Sequence, residues 1–78
     1  MLAATLQHLV RAIVDNPEDV AVELRSSGKN DLLEIRVHPD DLGRVIGKGG
    51  KTATALRTIV AALADGKRIR VDVVDTDY

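Results

Sequence analysis

Three glycines in four positions, Gly47, Gly49 and Gly50, rule out a continuous helix or strand through the middle of this chain. Whatever precedes them must stop, and whatever follows must start afresh. On both sides the apolar spacing is helical. Leu42, Val45 and Ile46 form a short stripe before the break. Ala53, Leu56, Val60 and Leu63 mark one face of a longer helix, from about Lys51 to Ala64, after it. The fold has to join two helices through the stretch "GRVIGKGGKT", Gly43 to Thr52.

The flanking sequence supplies the remaining elements. Leu2, Leu6, Leu9, Val10, Ile13 and Val14 follow helical spacing, and Asp15-Asn16-Pro17 ends that helix, because proline disfavours helix at the residue before it. Val20, Val22 and Leu24 then alternate with Ala21, Glu23 and Arg25. Leu33, Ile35 and Val37 alternate with Glu34 and Arg36. The polar loop Ser26 to Asp31 between these strands is short enough for an antiparallel hairpin. His38-Pro39-Asp40-Asp41 reads as a helix start, with proline in the first turn and acids at the positive end of the dipole. Asp65-Gly66 closes the long helix, and Ile69, Val71 and Val73 alternate with Arg68, Arg70 and Asp72 as a third strand. The order is α-β-β-α-α-β. Each strand has one apolar and one charged face, so the expected fold is α+β: a three-stranded sheet with helices packed on one face and water on the other. Cross-strand ion pairs account for Glu23, Arg25, Glu34, Arg36, Arg70 and Asp72 on the open face.

Seventy-eight residues suit one domain spanning 1–78. Such a chain buries only about 60% of its unfolded surface, so its core is modest. Tyr78 is the only aromatic residue, which makes the core aliphatic and removes the stacking platforms of RRM and cold-shock sheets. With no cysteine, neither a disulfide nor a thiolate site is available, in keeping with a reducing compartment. No apolar run approaches the roughly 20 residues of a membrane span, and no basic leader opens the chain. A soluble cytoplasmic protein without a membrane partner is expected.

The formal net charge is −1, yet the charge is unevenly placed. From Leu42 to Ala64 there is no acidic residue, while Arg44, Lys48, Lys51 and Arg57 are basic. A local positive patch therefore coincides with the glycine cluster.

Several chemistries compete for that cluster. A nucleotide P-loop needs G-x-x-x-x-G-K-[ST] straight after a strand. Gly50-Lys51-Thr52 fits its end, but the first glycine would fall at Val45, and the preceding segment reads as helix. A dinucleotide fingerprint from Gly47 and Gly49 would need glycine where Thr52 stands, within a βαβ unit that is absent. A plain turn between helices needs one glycine, not three with a lysine in the gap. The pattern fits a backbone-phosphate clamp best. Residues without Cβ let a phosphate approach the main chain, the following helix offers free N–H groups, and Lys48 and Lys51 add cations.

"VIGKGG" between two helices resembles the GXXG loop of KH domains, and the element order resembles their type II, bacterial topology. Over the whole chain, "LVRAIVDNPEDV", "HPDDLGRVIGKGGKT" and the final strand resemble the small single-KH bacterial RNA-binding proteins of the KhpA family. The resemblance implies a single-stranded RNA-binding protein whose loop grips the backbone of about four nucleotides. Gly47, Lys48, Gly49 and Gly50 would hold phosphates, with Arg44 and Lys51 flanking them. Leu42, Val45 and Ile46 would wall an apolar groove for the bases. It further implies an RNA chaperone that pairs with a larger KH-containing partner, KhpB, and influences cell shape and peptidoglycan homeostasis.

Plainer readings stand beside these. Val45 serves equally as core or as groove wall, and Arg57 reads as a solvated helix residue or as a ligand contact. Ala55, Ala61 and Ala62 permit close contact with another helix, as in a homodimer, but good helix propensity explains them as well. A protein-interaction subunit with minor RNA contact is the alternative function. His8 and His38 have no partner at metal or catalytic spacing, and no Ser-His-Asp or Cys-His set exists. Neither catalysis nor a cofactor is expected.

Overall fold

The computed structural model describes residues 2–27 and 30–74. In chain order it contains α1 (Leu2–Ile13), β1 (Ala21–Ser27), β2 (Asn30–Arg36), α2 (Leu42–Ile46), α3 (Lys51–Leu63) and β3 (Ile69–Val73), with short 3-10 turns at Pro17–Asp19, Pro39–Asp41 and Lys48–Gly50. The α-β-β-α-α-β order is the expected one. The sheet runs β1-β2-β3, with β1 and β2 antiparallel and β2 and β3 parallel. The parallel pair needs a crossover, and α2, the glycine loop and α3 supply it.

Alternation places Leu33 and Ile35 of β2 and Val71 of β3 on the face that meets the helices. Leu6 and Val10 of α1, Val45 of α2, and Leu56 and Val60 of α3 close over them. The core is wholly aliphatic, as the composition requires.

Four expectations are corrected in detail. First, the polar loop is shorter than the sequence suggests. Ser26 pairs with Asp31 and Ser27 with Asn30, so the strands run on through polar residues to the hairpin tip, because ladder hydrogen bonds do not depend on side-chain polarity. Second, Leu24 is 54% exposed and lines a hollow with Leu2 and Ala3 of α1 and Leu63 of α3 instead of entering the core. Third, Leu63 is 53% exposed and Ala64 takes the buried position at the end of α3. Fourth, of the cross-strand ion pairs expected on the open face, Arg25 with Glu34 forms among the described residues, but the directly opposed residues are like-charged. Glu23 lies opposite Glu34, and Glu34 lies beside Asp72. Like charges facing each other across strands are destabilising. Arg25 offsets this from a neighbouring rung, bonding Glu34 and approaching Glu23 at 3.6 Å.

Each edge of the sheet receives a side chain from a helix. Gln7 of α1 accepts the Val22 N–H at 3.4 Å, and Arg57 of α3 donates through Nε to the Val71 carbonyl at 3.1 Å. Such cover blunts edge-to-edge pairing.

Candidate nucleic-acid interface

The loop starts where α2 runs out of helical residues. The Gly47 N–H closes the last turn onto the Gly43 carbonyl at 2.8 Å, and the Gly50 N–H turns back to the Gly47 carbonyl at 3.0 Å. Gly47, Gly49 and Gly50 take φ values of +77°, +64° and +79°. Gly47 is fixed twice over. Its φ lies in the region that glycine favours, and a Cβ there would sit 2.7 Å from the Thr52 main-chain nitrogen. A Cβ on Gly49 or Gly50 would meet nothing within 4 Å. These two glycines leave open space above the backbone instead of filling a tight contact.

Gly50 is also the residue before α3, and no side chain caps that helix. The partial positive charge of the α3 N-terminus is thus presented beside the loop. Lys48 and Lys51 are exposed and have no ion-pair partner among the described residues. Main-chain donors, a helix end and two free ammonium groups converge on one strip of surface. That arrangement attracts anions.

Beside the loop lies a groove lined by Ile46, Gly50 and Ala53 on the helix side, Glu34, Asp72, Val73 and Val74 on the sheet side, and Arg57, so that it carries two carboxylates as well as a guanidinium. Ile46 is 39% exposed and forms an apolar wall. Val45 does not. It is fully buried and packs into the core, because a five-residue helix resting on a sheet must turn one residue inward and Val45 is that residue. It has no surface to offer a ligand. Leu42 is half-buried against the same core. Arg44 turns away and pairs with Asp15, beyond the end of α1, at 3.2 Å. Of the eight residues expected at the site, the structure gathers Ile46 to Lys51 and leaves Arg44 and Val45 outside.

One contributor, Asp41, escaped the sequence reading, and another, Arg57, it left open between a solvated residue and a ligand contact. Arg57 lines the groove and is tied to the β3 edge, neither simply solvated nor free. The i, i+4, i+8 row Ala53, Arg57, Ala61 carried that signal. Asp41 is more than N-terminal dressing. It is 1% exposed, and its carboxylate accepts the N–H groups of Asp15 (3.2 Å) and Asn16 (2.9 Å) and the Asn16 side-chain amide (3.1 Å). Burial alone would raise its pKa. The Asn16 side chain, the two N–H groups and nearby His38 outweigh that and hold it below the usual carboxylate value. Asp41 thereby fastens the start of α2, and the loop behind it, to the end of α1. His38 accepts the Asp40 N–H at 3.0 Å through Nδ1, which sets the entry turn.

A P-loop is excluded by this geometry, since helix α2 and not a strand leads into the glycines. A βααβ crossover onto a parallel strand pair, preceded by a helix and an antiparallel strand, with Gly-Lys-Gly-Gly at the helix junction, defines a KH domain of type II. Comparison with known proteins makes the assignment narrower. The model of the KhpA/KhpB KH domain matches residues 3–74, and the chain belongs to that family. Among its relatives is the RNA-binding protein KhpA of Leifsonia xyli subsp. xyli, 63% identical over 75 residues, covering 96% of this chain and 99% of that protein. The RNA-binding protein KhpA of Mycobacterium tuberculosis is 64% identical over 72 residues, 92% of this chain and 89% of that protein. The protein of the same name from Streptomyces coelicolor is 56% identical over 78 residues, 100% and 98% of the two chains. No helix among the described residues is long and apolar enough to cross a membrane.

Proposed function

We propose that the chain acts as a single KH domain that binds single-stranded RNA without catalysis. Gly47, Lys48, Gly49 and Gly50 hold the backbone, Lys51 flanks them, and Ile46 lines the base groove. The observation that carries this reading is the loop itself: three glycines at positive φ, two of them open above, beside lysines with no ion-pair partner among the described residues and a helix end without a side-chain cap. The names of its relatives, RNA-binding proteins, support it. With few phosphates neutralised, binding by one domain is weak and salt-dependent. A KhpB-like partner with its own KH domain, or a second copy, raises it through effective concentration. A cytoplasmic RNA chaperone acting on transcripts for cell shape and peptidoglycan homeostasis is the role we assign by family.

A second reading rests on the opposite end of the molecule. Leu24 and Leu63 are each more than half exposed around an apolar hollow, which suits a protein-interaction subunit.

The test is fluorescence anisotropy of labelled single-stranded RNA at low and physiological salt, comparing the native chain with the double variant Lys48→Asp, Gly49→Asp. Aspartate tolerates the left-handed conformation at Gly49, so the variant is expected to fold, which circular dichroism checks. Loss of binding in the folded variant supports the clamp. Equal binding by both removes the loop from the mechanism. No binding by either, alone or with the partner KH protein, favours the interaction subunit.

A further inference from the structure

α2 has five residues, little more than one turn. A helix that short has no stability of its own, so its place is set by what holds it. Two side chains do so. Val45 is fully buried in the core. Asp41, four positions earlier and so on the same side of the helix, is 1% exposed. One buried point fixes where α2 sits, and a second is needed to fix where it points. What leaves α2 is the glycine loop. Its first residue, Gly47, lies about 9 Å along the helix from Asp41.

Asp41 stands at the N-cap position of α2, where an aspartate ordinarily accepts an N–H of its own helix. Its side chain makes no such bond. The carboxylate reaches instead to the chain just beyond α1 and accepts three donors there: the Asp15 N–H at 3.2 Å, the Asn16 N–H at 2.9 Å and the Asn16 side-chain amide at 3.1 Å. The acid forgoes a local cap and ties together segments 25 and 26 residues apart. A second link joins the same segments, Arg44 with Asp15 at 3.2 Å. Both of its side chains are more than half exposed, so it adds little.

We infer that Asp41 is a positioning residue for RNA: by holding α2 to the end of α1 it aims the glycine loop, and so sets the fraction of molecules whose loop is ready to grip a strand. Asn16 serves with it. The inference rests on the reading of Gly47–Gly50 as an RNA clamp. Asp41 itself is buried and touches no RNA. Charge and position then predict opposite signs. Asp41→Asn removes a negative charge about 9 Å from the loop. If charge alone mattered, RNA would bind more tightly, most of all at low salt. If position matters, the apparent Kd rises by the inverse of the ready fraction, equally at every salt concentration. A ready fraction of about 0.1 to 0.3 weakens binding roughly three- to tenfold. The slope of log affinity against log salt is unchanged, because a ready loop meets the same phosphates. A contact residue behaves otherwise: Lys48→Gln makes that slope shallower by about 0.7.

The test is anisotropy of labelled single-stranded RNA over a range of salt, at a temperature below the melting range of every variant, with nitrogen–proton NMR spectra of the RNA-free proteins. Asp41→Asn is expected to weaken RNA roughly three- to tenfold with an unchanged slope, and to shift the Gly49 and Gly50 amides before any RNA is added. Asn16→Ala removes the side-chain amide and no charge, so it acts in the same direction by less, and it carries the test if Asp41→Asn does not fold. Asp15→Asn also removes an acid but keeps the Asp15 N–H for Asp41, so it does not weaken RNA. Leu33→Val is the control for lost stability. Leu33 is fully buried and lines the hollow at the other end of the molecule. Its variant should melt earlier yet leave RNA affinity and both glycine amides as they are. Tighter or unchanged binding by the folded Asp41 and Asn16 variants overturns the inference, as does equal weakening by Leu33→Val. The folded Lys48→Asp, Gly49→Asp variant separates the two readings. If it binds RNA as the native chain does, the clamp itself fails and the positioning role with it. If it loses RNA while Asp41→Asn and Asn16→Ala bind as the native chain does, the clamp stands and only the positioning role fails.

Discussion

The two ends of α3 are built from opposite materials. At the N-terminal end the surface is main chain and cation: Gly49 and Gly50 bare above, Lys48 and Lys51 without an ion-pair partner among the described residues, and the positive end of the helix dipole. At the C-terminal end it is side chain. Leu63 stands exposed across a hollow from Leu24, with Leu2 and Ile69 between them and Asp31, Asp65 and Lys67 around the rim. Asp65 adds negative charge where the dipole is already negative. The chain's net charge of −1 says nothing of this difference between a cationic end of α3 and an apolar one. For a chain this small, position along one helix says more about partners than total charge does.

The hardest way to break the N-terminal end is Gly47→Val. A β-branched residue at φ +77° is an outlier, and its Cβ would press on the Thr52 main chain, which cannot swing aside. A loss of about 3 kcal/mol is expected, a fall in Tm of roughly 12–24 °C for a domain of this size. Gly49→Asn, with open space and a tolerated conformation, should cost less than about 1 kcal/mol. Thermal unfolding of the two variants side by side checks the contrast. Equal losses would mean that the loop is held by something other than the close approach at Gly47.

Asp41 comes next. Its carboxylate is held below the ordinary value of about 3.9, so its contribution is present above that pH and disappears as pH falls through the lower folded value. Asp41→Asn should therefore lower Tm at neutral pH by on the order of 5–10 °C, through weakened acceptance of the Asp15 and Asn16 N–H groups. The gap between native and variant should close as pH drops below about 3.9. Melting curves from neutral pH to about pH 2.5 measure it, and a gap that stays constant with pH would show that the ionised form is not what matters.

Asp41 also marks where sequence reasoning stops. Element order, the α+β class and the glycine junction were legible because they rest on local rules: period two, period 3.6, and glycine where a side chain does not fit. The role of Asp41 was not, since its partners Asp15 and Asn16 lie 26 and 25 residues away and nothing local distinguishes it from Asp40. Val45 and Ile46 are neighbouring β-branched aliphatic residues, and only the way a five-residue helix sits on the sheet decides which is core and which is groove. Leu63 and Ala64 show the same limit at a helix end, where the apolar stripe drifts by one residue as the sheet beneath it runs out.

That drift can be measured. Leu56 and Leu63 share a face by spacing, but Leu56 is 6% exposed. Leu56→Ala should cost about 3 kcal/mol, and Leu63→Ala less than about 1. Denaturant unfolding resolves the difference. A large cost at Leu63 would mean that the hollow at the C-terminal end is filled in solution.

The smallest expected effect sharpens the charge comparison. Arg44 belongs to the acid-free stretch from Leu42 to Ala64, yet it pairs with Asp15 outside it. Both side chains are more than half exposed, so the pair is worth between nothing and about 1 kcal/mol. Asp15→Asn leaves stability nearly unchanged and frees Arg44 three residues before the glycine loop. If the N-terminal end of α3 works by attraction of phosphate, the variant should bind single-stranded RNA up to about threefold more tightly at low salt, with the gain fading as salt screens the added charge. Anisotropy at two salt concentrations reads this directly. A gain that persists at high salt would point instead to a rearrangement of α2, because a screened charge cannot act that way.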